Sequence, residues 1–184
     1  ALNIATQEDE KKRNNKCWQE ILFEMLNKKW TNENYILSYK PKTKEIYDIG
    51  FNMYVGPKFP IKQWPLDNWK KLANKLEKKY SITYQESLDN IYGYIDWLNK
   101  SKLIITNDSL GLHIAAALNK KIIALIGPTS TTEIPHLPNI LIVKPKKKLK
   151  CIPCFKEYCK LNDTCMNYID VDDVVQAVHK ILKK

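Results

Sequence analysis

Asp108, Ser109 and His113 carry the polar side chains of a segment that joins two apolar runs. Asp108 and Ser109 stand where the first run ends and an Ala-rich helix begins, and His113 lies one turn deeper on the same side. The free N–H groups at a helix N-terminus attract anions, phosphate above all. The same residue types are also preferred helix N-caps, and a lone histidine on such a helix is more often buried than catalytic. Spacing alone leaves a phosphate site and a capped helix as alternatives.

Two polar turns are expected at one edge of a parallel sheet. The first follows Leu103–Ile105, and the second, Gly127–Thr129, follows the next apolar run. A strand–helix–strand unit of this kind crosses over right-handed into parallel pairing, and parallel sheets bind ligands beyond the carboxyl ends of their strands. Gly111 supports a ligand site as well, since glycine costs stability in a helix and permits close approach of a ligand.

Four thiols are clustered near the C-terminus as Cys151-x2-Cys154-x4-Cys159-x5-Cys165. Compact thiolate sets bind tetrahedral zinc or iron, and the spacing is close to that of a zinc knuckle, a nucleic-acid-binding unit. Reduced thiols under a loop, or a disulfide formed on purification, are the alternatives. Because no secretory signal is evident, we expect a reduced, cytosolic setting and no disulfide scaffold.

Hydrophobic periodicity predicts the elements that position these residues. Strands are predicted at residues 46–51, 81–85, 103–105 and 140–143, and in the run that ends at Gly127. Helices are predicted at residues 15–26, from Pro65 onward, and at 88–98, 110–118 and 170–184. This alternation indicates a single α/β domain over residues 1–184, a Rossmann-like three-layer sandwich with a mostly parallel sheet. Residues 1–12 are expected to be disordered, and residues 145–168 to form a Lys/Cys-rich loop.

The bulk composition suits one domain with a core, at 184 residues and 44% hydrophobic content. Thirty Lys and Arg against twenty Asp and Glu give a net charge of +10. That balance indicates an anionic partner, or a lysine-rich surface from a compositionally biased genome. No apolar run approaches the roughly 20 residues that span a bilayer. The chain begins with Ala, so we expect a fragment of something longer.

The residues NDSLGLHIAAAL (107–118) and IIALIGPT (122–129) closely resemble the signature of glycosyltransferase family 9, the heptosyltransferase family of lipopolysaccharide assembly. Its members carry Asp-(Ser/Thr)-Gly-x-x-His-x-Ala-Ala-Ala-Leu, then an apolar strand that ends in Gly-Pro-Thr. The residues that match in place are Asp108, Ser109, His113 and 115–118. Leu110 replaces the usual glycine, and Gly111 follows one position later.

Two further segments carry the resemblance, which runs from about Tyr35 to the end of the chain. Residues 49–52, followed by Lys62-Gln63-Trp64-Pro65, look like the family's strand and its substrate-contacting Lys-x-Trp-Pro. The cysteine cluster resembles the family's C-terminal Cys-rich stretch. Many members place a glutamate for the nucleotide ribose in a loop for which Glu86 is the local candidate.

The resemblance implies one half of a GT-B fold, the C-terminal domain that binds the donor nucleotide sugar. The acceptor-activating carboxylate of the family lies in an N-terminal domain without a counterpart here, so no catalytic residue is assigned and the chain is expected to be inactive alone. Lys62 is expected to act as a point charge beside the diphosphate, although without the resemblance it is one surface lysine among many. The implied nucleotide-sugar-binding residues are Lys62, Asp108, Ser109, Leu110, Gly111, Leu112, His113, Gly127 and Thr129, with Asn52 and Glu86 as further candidates.

The function implied is inverting transfer of a sugar, heptose from ADP-heptose being the candidate, onto a lipopolysaccharide-type acceptor. Transfer is expected to need no metal, and zinc or iron at the cysteine cluster would be structural. The expected partners are the donor, a saccharide or glycolipid acceptor and the N-terminal domain. The expected location is cytoplasmic, in peripheral contact with the inner membrane. A non-catalytic nucleotide-sugar-binding or interaction module is the first alternative, and a cysteine-knuckle nucleic-acid-binding protein is the second.

Overall fold

Five parallel strands form the centre of the protein in the computed structural model, which describes residues 7–86, 90–161 and 163–182. The strands are β1 (Tyr47–Asn52), β2 (Ile82–Tyr84), β3 (Ser101–Asn107), β4 (Lys121–Leu125) and β5 (Ile140–Val143). Their order is β2-β1-β3-β4-β5, and every neighbouring pair is parallel. The order reverses between β1 and β3, and such a switch point is where sheets of this kind bind ligands.

Helices cover both faces of the sheet, so the three-layer prediction is confirmed. The described helices are α1 (Glu8–Arg13), α2 (Trp18–Met25), α3 (Leu66–Leu76), α4 (Ile91–Asn99), α5 (Leu110–Ala117) and α6 (Val171–Leu182). Helices α3 and α6 pack with one face of the sheet, and α4 and α5 pack with the other. Short 3-10 helices span Pro60–Lys62, Thr131–Glu133 and Cys165–Tyr168.

Alternation along β3 explains how one apolar run serves two cores. Leu103 and Ile105 belong to the cluster beneath α3 and α6, whereas Ile104 belongs to the cluster beneath α4 and α5. Successive strand residues point to opposite faces, and strands covered on both faces are continuously apolar. The apolar runs therefore predicted buried parallel strands correctly.

Two helical stripes follow the sequence prediction closely. The periodicity predicts that the apolar face of α3 consists of Trp69, Leu72, Ala73 and Leu76, and all four are buried. The last helix begins after Asp170, whose Oδ1 accepts a hydrogen bond from the backbone N of Asp172 at 2.9 Å. This cap satisfies one of the free N–H groups at the helix start, as predicted.

The predicted apolar faces of two other helices are only partly buried. For α4 the periodicity predicts a stripe of Leu88, Ile91, Tyr92, Ile95 and Leu98. Ile95 and Leu98 are buried as predicted, whereas Ile91 and Tyr92 are exposed, and Tyr94 and Trp97 are buried instead. Leu88 lies outside the described residues. In α2 the residue buried is Ile21, and the predicted apolar partners Leu22, Met25 and Leu26 are exposed. A periodic stripe fixes which residues share a face but not whether another element covers that face.

The predicted disorder of residues 1–12 needs correction, because α1 occupies Glu8–Arg13. The sequence of α1, EDEKKR, places acidic residues first and basic residues last, which suits the helix dipole. The ammonium of Lys11 also lies 5.4 Å from the centre of the Phe155 ring. Residues 1–6 lie outside the described part of the chain.

The segment between β5 and α6 is irregular until the 3-10 helix Cys165–Tyr168, in agreement with the predicted Lys/Cys-rich loop. Backbone bonds from Cys154 N and Phe155 N to Pro128 O, at 2.8 and 3.1 Å, fasten this loop to the turn after β4. Within the described ranges, no helix combines the length and apolar character that crossing a bilayer requires.

Candidate functional site

Asn52, at the carboxyl end of β1, is the centre of a buried hydrogen-bond network at the switch point. Its Nδ2 donates to Thr106 Oγ1 at 2.7 Å and to Ser109 Oγ at 2.9 Å. Its Oδ1 accepts from the Tyr94 hydroxyl at 2.6 Å. Asn52 and Thr106 are fully buried, and burial raises the pKa of Tyr94. Both the nitrogen and the oxygen of the Asn52 amide are thus hydrogen-bonded to neighbouring side chains. Asn52 therefore positions the start of α5.

Asn107 connects the end of β3 to the segment that carries Lys62. Its Oδ1 accepts from the backbone N of Trp64 at 3.1 Å, and its Nδ2 donates to Met53 O at 2.6 Å. Trp64 is itself fully buried and donates through Nε1 to Ile169 O at 3.1 Å. These contacts hold the 3-10 helix Pro60–Lys62 against the carboxyl edge of the sheet.

Lys62, Asp108 and Thr129 come together at this edge. The Nζ of Lys62 lies 2.7 Å from Oδ2 of Asp108, with side-chain exposures of 19% and 15%. The Thr129 hydroxyl donates to the same oxygen at 2.7 Å. Lys62, which was predicted to be a point charge beside the diphosphate, is therefore paired with the Asp108 carboxylate. Since an ammonium has three N–H donors, Lys62 keeps hydrogen-bonding capacity for an anion beside Asp108.

The N-terminus of α5 presents free donors next to this ion pair. Ser109 occupies the N-cap position but its side chain does not cap the helix. Its Oγ accepts from Asn52 Nδ2 at 2.9 Å and lies 3.4 Å from Thr106 Oγ1. Within the described ranges, no acceptor contacts the backbone N–H groups of Leu110 and Gly111. Such N–H groups, with the positive end of the helix dipole, form an anion-binding arrangement.

Gly111 is required by packing inside the protein. A Cβ at this position would overlap the Asn52 amide, with Asn52 Cγ only 2.8 Å away, and would also meet the Tyr94 hydroxyl. The absent side chain thus lets α5 approach β1 and α4, and not a ligand as predicted. Leu112 is buried in the core and its backbone N donates to Ser109 O at 3.1 Å. Leu110 is 59% exposed at the helix start, so of these two residues it is Leu110 that can contribute a backbone N–H group to a site.

His113 has the buried, hydrogen-bonded character that the lone-histidine argument favoured. Its Nδ1 lies 2.8 Å from the Tyr35 hydroxyl. Burial lowers the pKa of His113, Asp108 opposes the shift, and Lys62 adds to it. The imidazole is therefore neutral near pH 7.

Two of the predicted residues lie apart from this cluster. A Cβ on Gly127 would meet Cys165 Sγ at 2.9 Å and the sulfur of Met166, so Gly127 serves the packing of the loop beneath its turn. Glu86 is exposed just after β2, where the neighbouring Gln85 accepts from Tyr54 N at 2.7 Å through Oε1.

A cavity of about 150 Å³ opens beside Lys62 and Thr129. Its walls include Trp18, Phe59 and Phe155, and the carboxylate of Glu133 also lines it. Glu133 follows no periodic pattern in the sequence, and the sequence prediction missed it.

The four clustered cysteines differ in exposure, from exposed Cys151 to buried Cys165. Burial, and then the neighbouring thiols of Cys154, Cys151 and Cys159, raise the pKa of Cys165 to about 12. Across the described ranges, no group of three or more His, Cys, Asp or Glu side chains is placed so that it could hold a metal ion. Zinc or iron at this cluster therefore rests on the spacing of the cysteines alone.

Comparison with known proteins agrees with the strand–helix–strand site. Residues 90–164 match the sequence model of glycosyltransferase family 9 (heptosyltransferase). This segment contains the helix start at Ser109, the Asp108 carboxylate and the Gly127–Thr129 turn. Over this segment, which is less than half of the chain, the protein is therefore similar to glycosyltransferase family 9.

A curated heptosyltransferase is similar to part of the chain. Lipooligosaccharide heptosyltransferase 2 of Campylobacter jejuni subsp. jejuni serotype O:2 is 32% identical over 82 residues, which are 44% of this chain and 26% of that protein. The chain thus matches about a quarter of that relative's length.

Solved structures share the fold at low sequence identity. Heptosyltransferase WaaC of E. coli with ADP superposes with a TM-score of 0.60 at 16% identity, over 89% of this chain and 55% of that one. The iron-containing heptosyltransferase TibC, in complex with ADP-D-beta-D-heptose, gives 0.59 at 13% identity, over 80% and 49%. The three-layer α/β sandwich is thus shared with these heptosyltransferases, of which this chain covers about half.

The departure from the family 9 pattern at Leu110 has a structural account. The family signature has glycine at that position, whereas here the glycine stands at 111, where α5 packs against Asn52 and Tyr94. One signal for this network is visible in the sequence: the polar pair Thr106-Asn107 at the end of an apolar strand. Tyr94 had no such signal, because its hydroxyl meets Asn52 only in the folded chain.

Proposed function

We propose that this chain is the donor-binding domain of an inverting glycosyltransferase, which transfers a sugar from a nucleotide sugar to a lipopolysaccharide-type acceptor. One observation carries the proposal: the Lys62–Asp108–Thr129 cluster lies beside free N–H groups at the start of α5, at the switch point of a parallel sheet. ADP-heptose is the proposed donor, in line with the ADP and ADP-heptose named for the two solved structures.

The proposed chemistry places positive charge where negative charge develops. When the sugar leaves a nucleoside diphosphate, charge accumulates on the leaving diphosphate, and preorganised donors stabilise it. Lys62 supplies an ammonium, and Leu110 and Gly111 supply N–H groups backed by the helix dipole. The Ser109 hydroxyl, oriented by Asn52, adds a further donor. None of these interactions requires a metal ion.

The proposal divides the work between this chain and a second domain. The residues gathered at the carboxyl edge suit donor binding, while activation of an acceptor hydroxyl is assigned to the N-terminal domain implied by the family. We therefore expect the 184 residues to bind donor without transferring sugar. Turnover by the isolated chain would contradict this division. A lipid-linked acceptor would place the reaction at the cytoplasmic face of the inner membrane.

A thermal-shift panel of ADP-, GDP-, UDP- and CMP-sugars tests the proposed function. An ADP-sugar at about 100 times its dissociation constant should stabilise the fold by about 2.7 kcal/mol. That gain corresponds to a rise in Tm of roughly 5–10 °C for a domain of this size. Absence of a shift with every nucleotide sugar would refute the site.

Lys62→Gln is the variant that localises the binding. Loss of the ammonium should weaken ADP binding by about tenfold, since charge-assisted bonds contribute about 1.5–3 kcal/mol. Lys58→Gln is the matched control, because Lys58 is exposed on the same segment and also lies over the Phe59 ring. Equal losses in the two variants would assign the effect to general charge and not to the site.

Zinc or iron at the cysteine cluster stays a prediction from the spacing and from the iron-containing relative. It has no part in the proposed transfer. Elemental analysis of the purified chain, with a Cys154→Ser variant as control, measures it directly.

A further inference from the structure

The cavity beside Lys62 differs in character from the anion-binding helix start. Aromatic rings from three separate segments form its walls, namely Trp18 of α2, Phe59 before the 3-10 helix, and Phe155 of the cysteine loop. Glu133 also lines this space. At about 150 Å³, the cavity is smaller than the roughly 300–1,000 Å³ of pockets that enclose drug-sized ligands. It therefore suits a single sugar-sized ring.

Glu133 is half-buried without a bonding partner. Its backbone N is bonded to Ser130 O at 3.3 Å, but in the ranges the structure describes no donor contacts the carboxylate. Burial raises the pKa of Glu133, the charge of Asp108 adds to the shift, and Lys11 and Lys62 oppose it. A carboxylate in this position retains unused acceptor capacity directed at the cavity.

Phe155 supplies an independent sign that the cavity is a built feature. Its φ is 53°, in the left-handed region that bulky residues rarely adopt. Residues held in such conformations cluster at ligand-binding sites, and the surrounding structure must fix them. Here the bond from Phe155 N to Pro128 O and the Lys11 ammonium over the ring hold the side chain at the cavity wall.

The charges around the cavity select the class of ligand. Lys11, Lys62 and Lys156 surround it and disfavour a cationic ligand, while Glu133 and Asp108 disfavour an anionic one. A neutral polyhydroxy ring can use both sets, since its hydroxyl groups donate to carboxylates and accept from ammonium groups. Its C–H faces can contact aromatic rings. The other oxygen of Asp108, Oδ1, is a second acceptor without a partner in the described ranges.

We propose that this cavity receives the transferred sugar of the donor, and that Glu133 determines specificity by accepting hydrogen bonds from the sugar hydroxyl groups. The inference rests on the proposed function. Because the sugar is bonded directly to the second phosphate of the donor, its pocket must adjoin the diphosphate site. Lys62 and Thr129 line the cavity and also belong to the cluster beside the start of α5, so the cavity adjoins the proposed diphosphate site.

Calorimetric titration of the full 184-residue chain with ADP and with ADP-heptose tests the inference. Glu133→Gln keeps the shape of the side chain and removes its charge. We expect affinity for ADP-heptose to fall about tenfold, as for loss of one charge-assisted hydrogen bond. Affinity for ADP, which has no sugar at this position, should change less than about twofold. Glu157→Gln, an exposed residue of the cysteine loop, should alter neither affinity.

Each other outcome has a distinct meaning. If Glu133→Gln weakens both ligands equally, or neither, the specificity role is overturned while nucleotide binding still supports the proposed function. If the unmodified chain binds neither ligand, the proposed function fails and the inference fails with it. Phe155→Leu gives a second test, since loss of the ring should also weaken ADP-heptose more than ADP; an equal loss would count against the sugar pocket.

Discussion

Asn52 and Glu133 are both polar side chains at the carboxyl edge of the sheet, and they differ in whether their neighbours satisfy them. Asn52 has bonds to Thr106, Ser109 and Tyr94, whereas no donor in the described ranges contacts the Glu133 carboxylate. A fully satisfied buried network fixes geometry, because each bond restrains the next. An unsatisfied carboxylate costs stability and stays ready for a ligand. The edge thus combines a rigid support with a receptive pocket.

The Asn52 hydrogen-bond network fixes the position of helix α5. Asn52 donates to Ser109, and Gly111 leaves room for Asn52 and Tyr94 beneath the helix. The first turn of α5 is thereby fixed with its free N–H groups beside the Lys62–Asp108 pair. Breaking the support should therefore lower both stability and nucleotide affinity, whereas changing Glu133 should weaken recognition of the sugar and leave nucleotide affinity nearly unchanged.

Gly111→Ala should have the largest effect on the support. The added methyl meets the bonded Asn52 amide, and overpacking of this kind costs about 3 kcal/mol. Better helix propensity returns about 1 kcal/mol, so we expect a net loss of about 2 kcal/mol in urea denaturation, with weaker ADP binding. Gly56→Ala is the control, since a Cβ there meets nothing within 4 Å. Equal stability of the two variants would show that the Asn52 side chain can move to accommodate the added methyl group without loss of stability.

Tyr94→Phe should have the next largest effect, because it removes one hydroxyl and leaves Asn52 Oδ1 buried without a donor. The expected loss in unfolding free energy is about 1–2 kcal/mol. The freed amide can also turn, which would deprive Ser109 of its bond from Nδ2 and weaken ADP binding. Tyr92→Phe on the same helix is the control, as Tyr92 is 58% exposed. An unchanged affinity for ADP in Tyr94→Phe would show that the Asn52 hydrogen-bond network does not contribute to nucleotide binding.

Glu133→Gln should have the smallest effect on stability, and of opposite sign. The folded chain raises the pKa of this carboxyl, so ionisation destabilises the fold at neutral pH. Removing the charge should raise the free energy of unfolding by less than about 1 kcal/mol at pH 7, since solvent screens a half-exposed group. As pH falls through the raised pKa and below 4.5, the ordinary value for Glu, the difference should vanish.

Thermal denaturation at several pH values measures this difference. A gain below about 1 kcal/mol corresponds to at most roughly 2–4 °C in Tm for a domain of this size. Glu157→Gln should show no such trend. A stability loss at pH 7 on removing the Glu133 charge would mean that the carboxylate is supported by its lysine neighbours and is not poised for a ligand.

Much of the fold could be predicted from local sequence. The strand Ile140–Val143 and the buried face of α3 were predicted correctly, because hydrophobic periodicity reports burial directly. The exposure of the apolar face of α2 and of part of the face of α4 could not be predicted, because hydrophobic periodicity does not show whether another element covers a face. Helix α1 was missed for a related reason, since six charged residues carry no apolar pattern.

Prediction of the site was less complete than prediction of the fold. The turn at Asp108–Ser109 and the Lys-x-Trp-Pro segment were recognised from residue types in order along the chain. Their meeting, with Lys62 paired to Asp108 at 2.7 Å, depends on Asn107 holding Trp64 in place. Gly111 was interpreted as space for a ligand, and only the packed structure shows Asn52 and Tyr94 in that space.

The sequence by itself determined the order of the main strands and helices and the resemblance to glycosyltransferase family 9, and it predicted an anion-binding start of α5, because these depend on local patterns of residue type. Only the tertiary structure decided which polar groups are satisfied and which are free. Asn52 and Glu133 could not be distinguished in the sequence, since their partners come from distant segments. Sheet order and loop attachment bring three donors and acceptors to Asn52, and aromatic walls to Glu133. That placement makes one residue a support and the other a candidate for recognition.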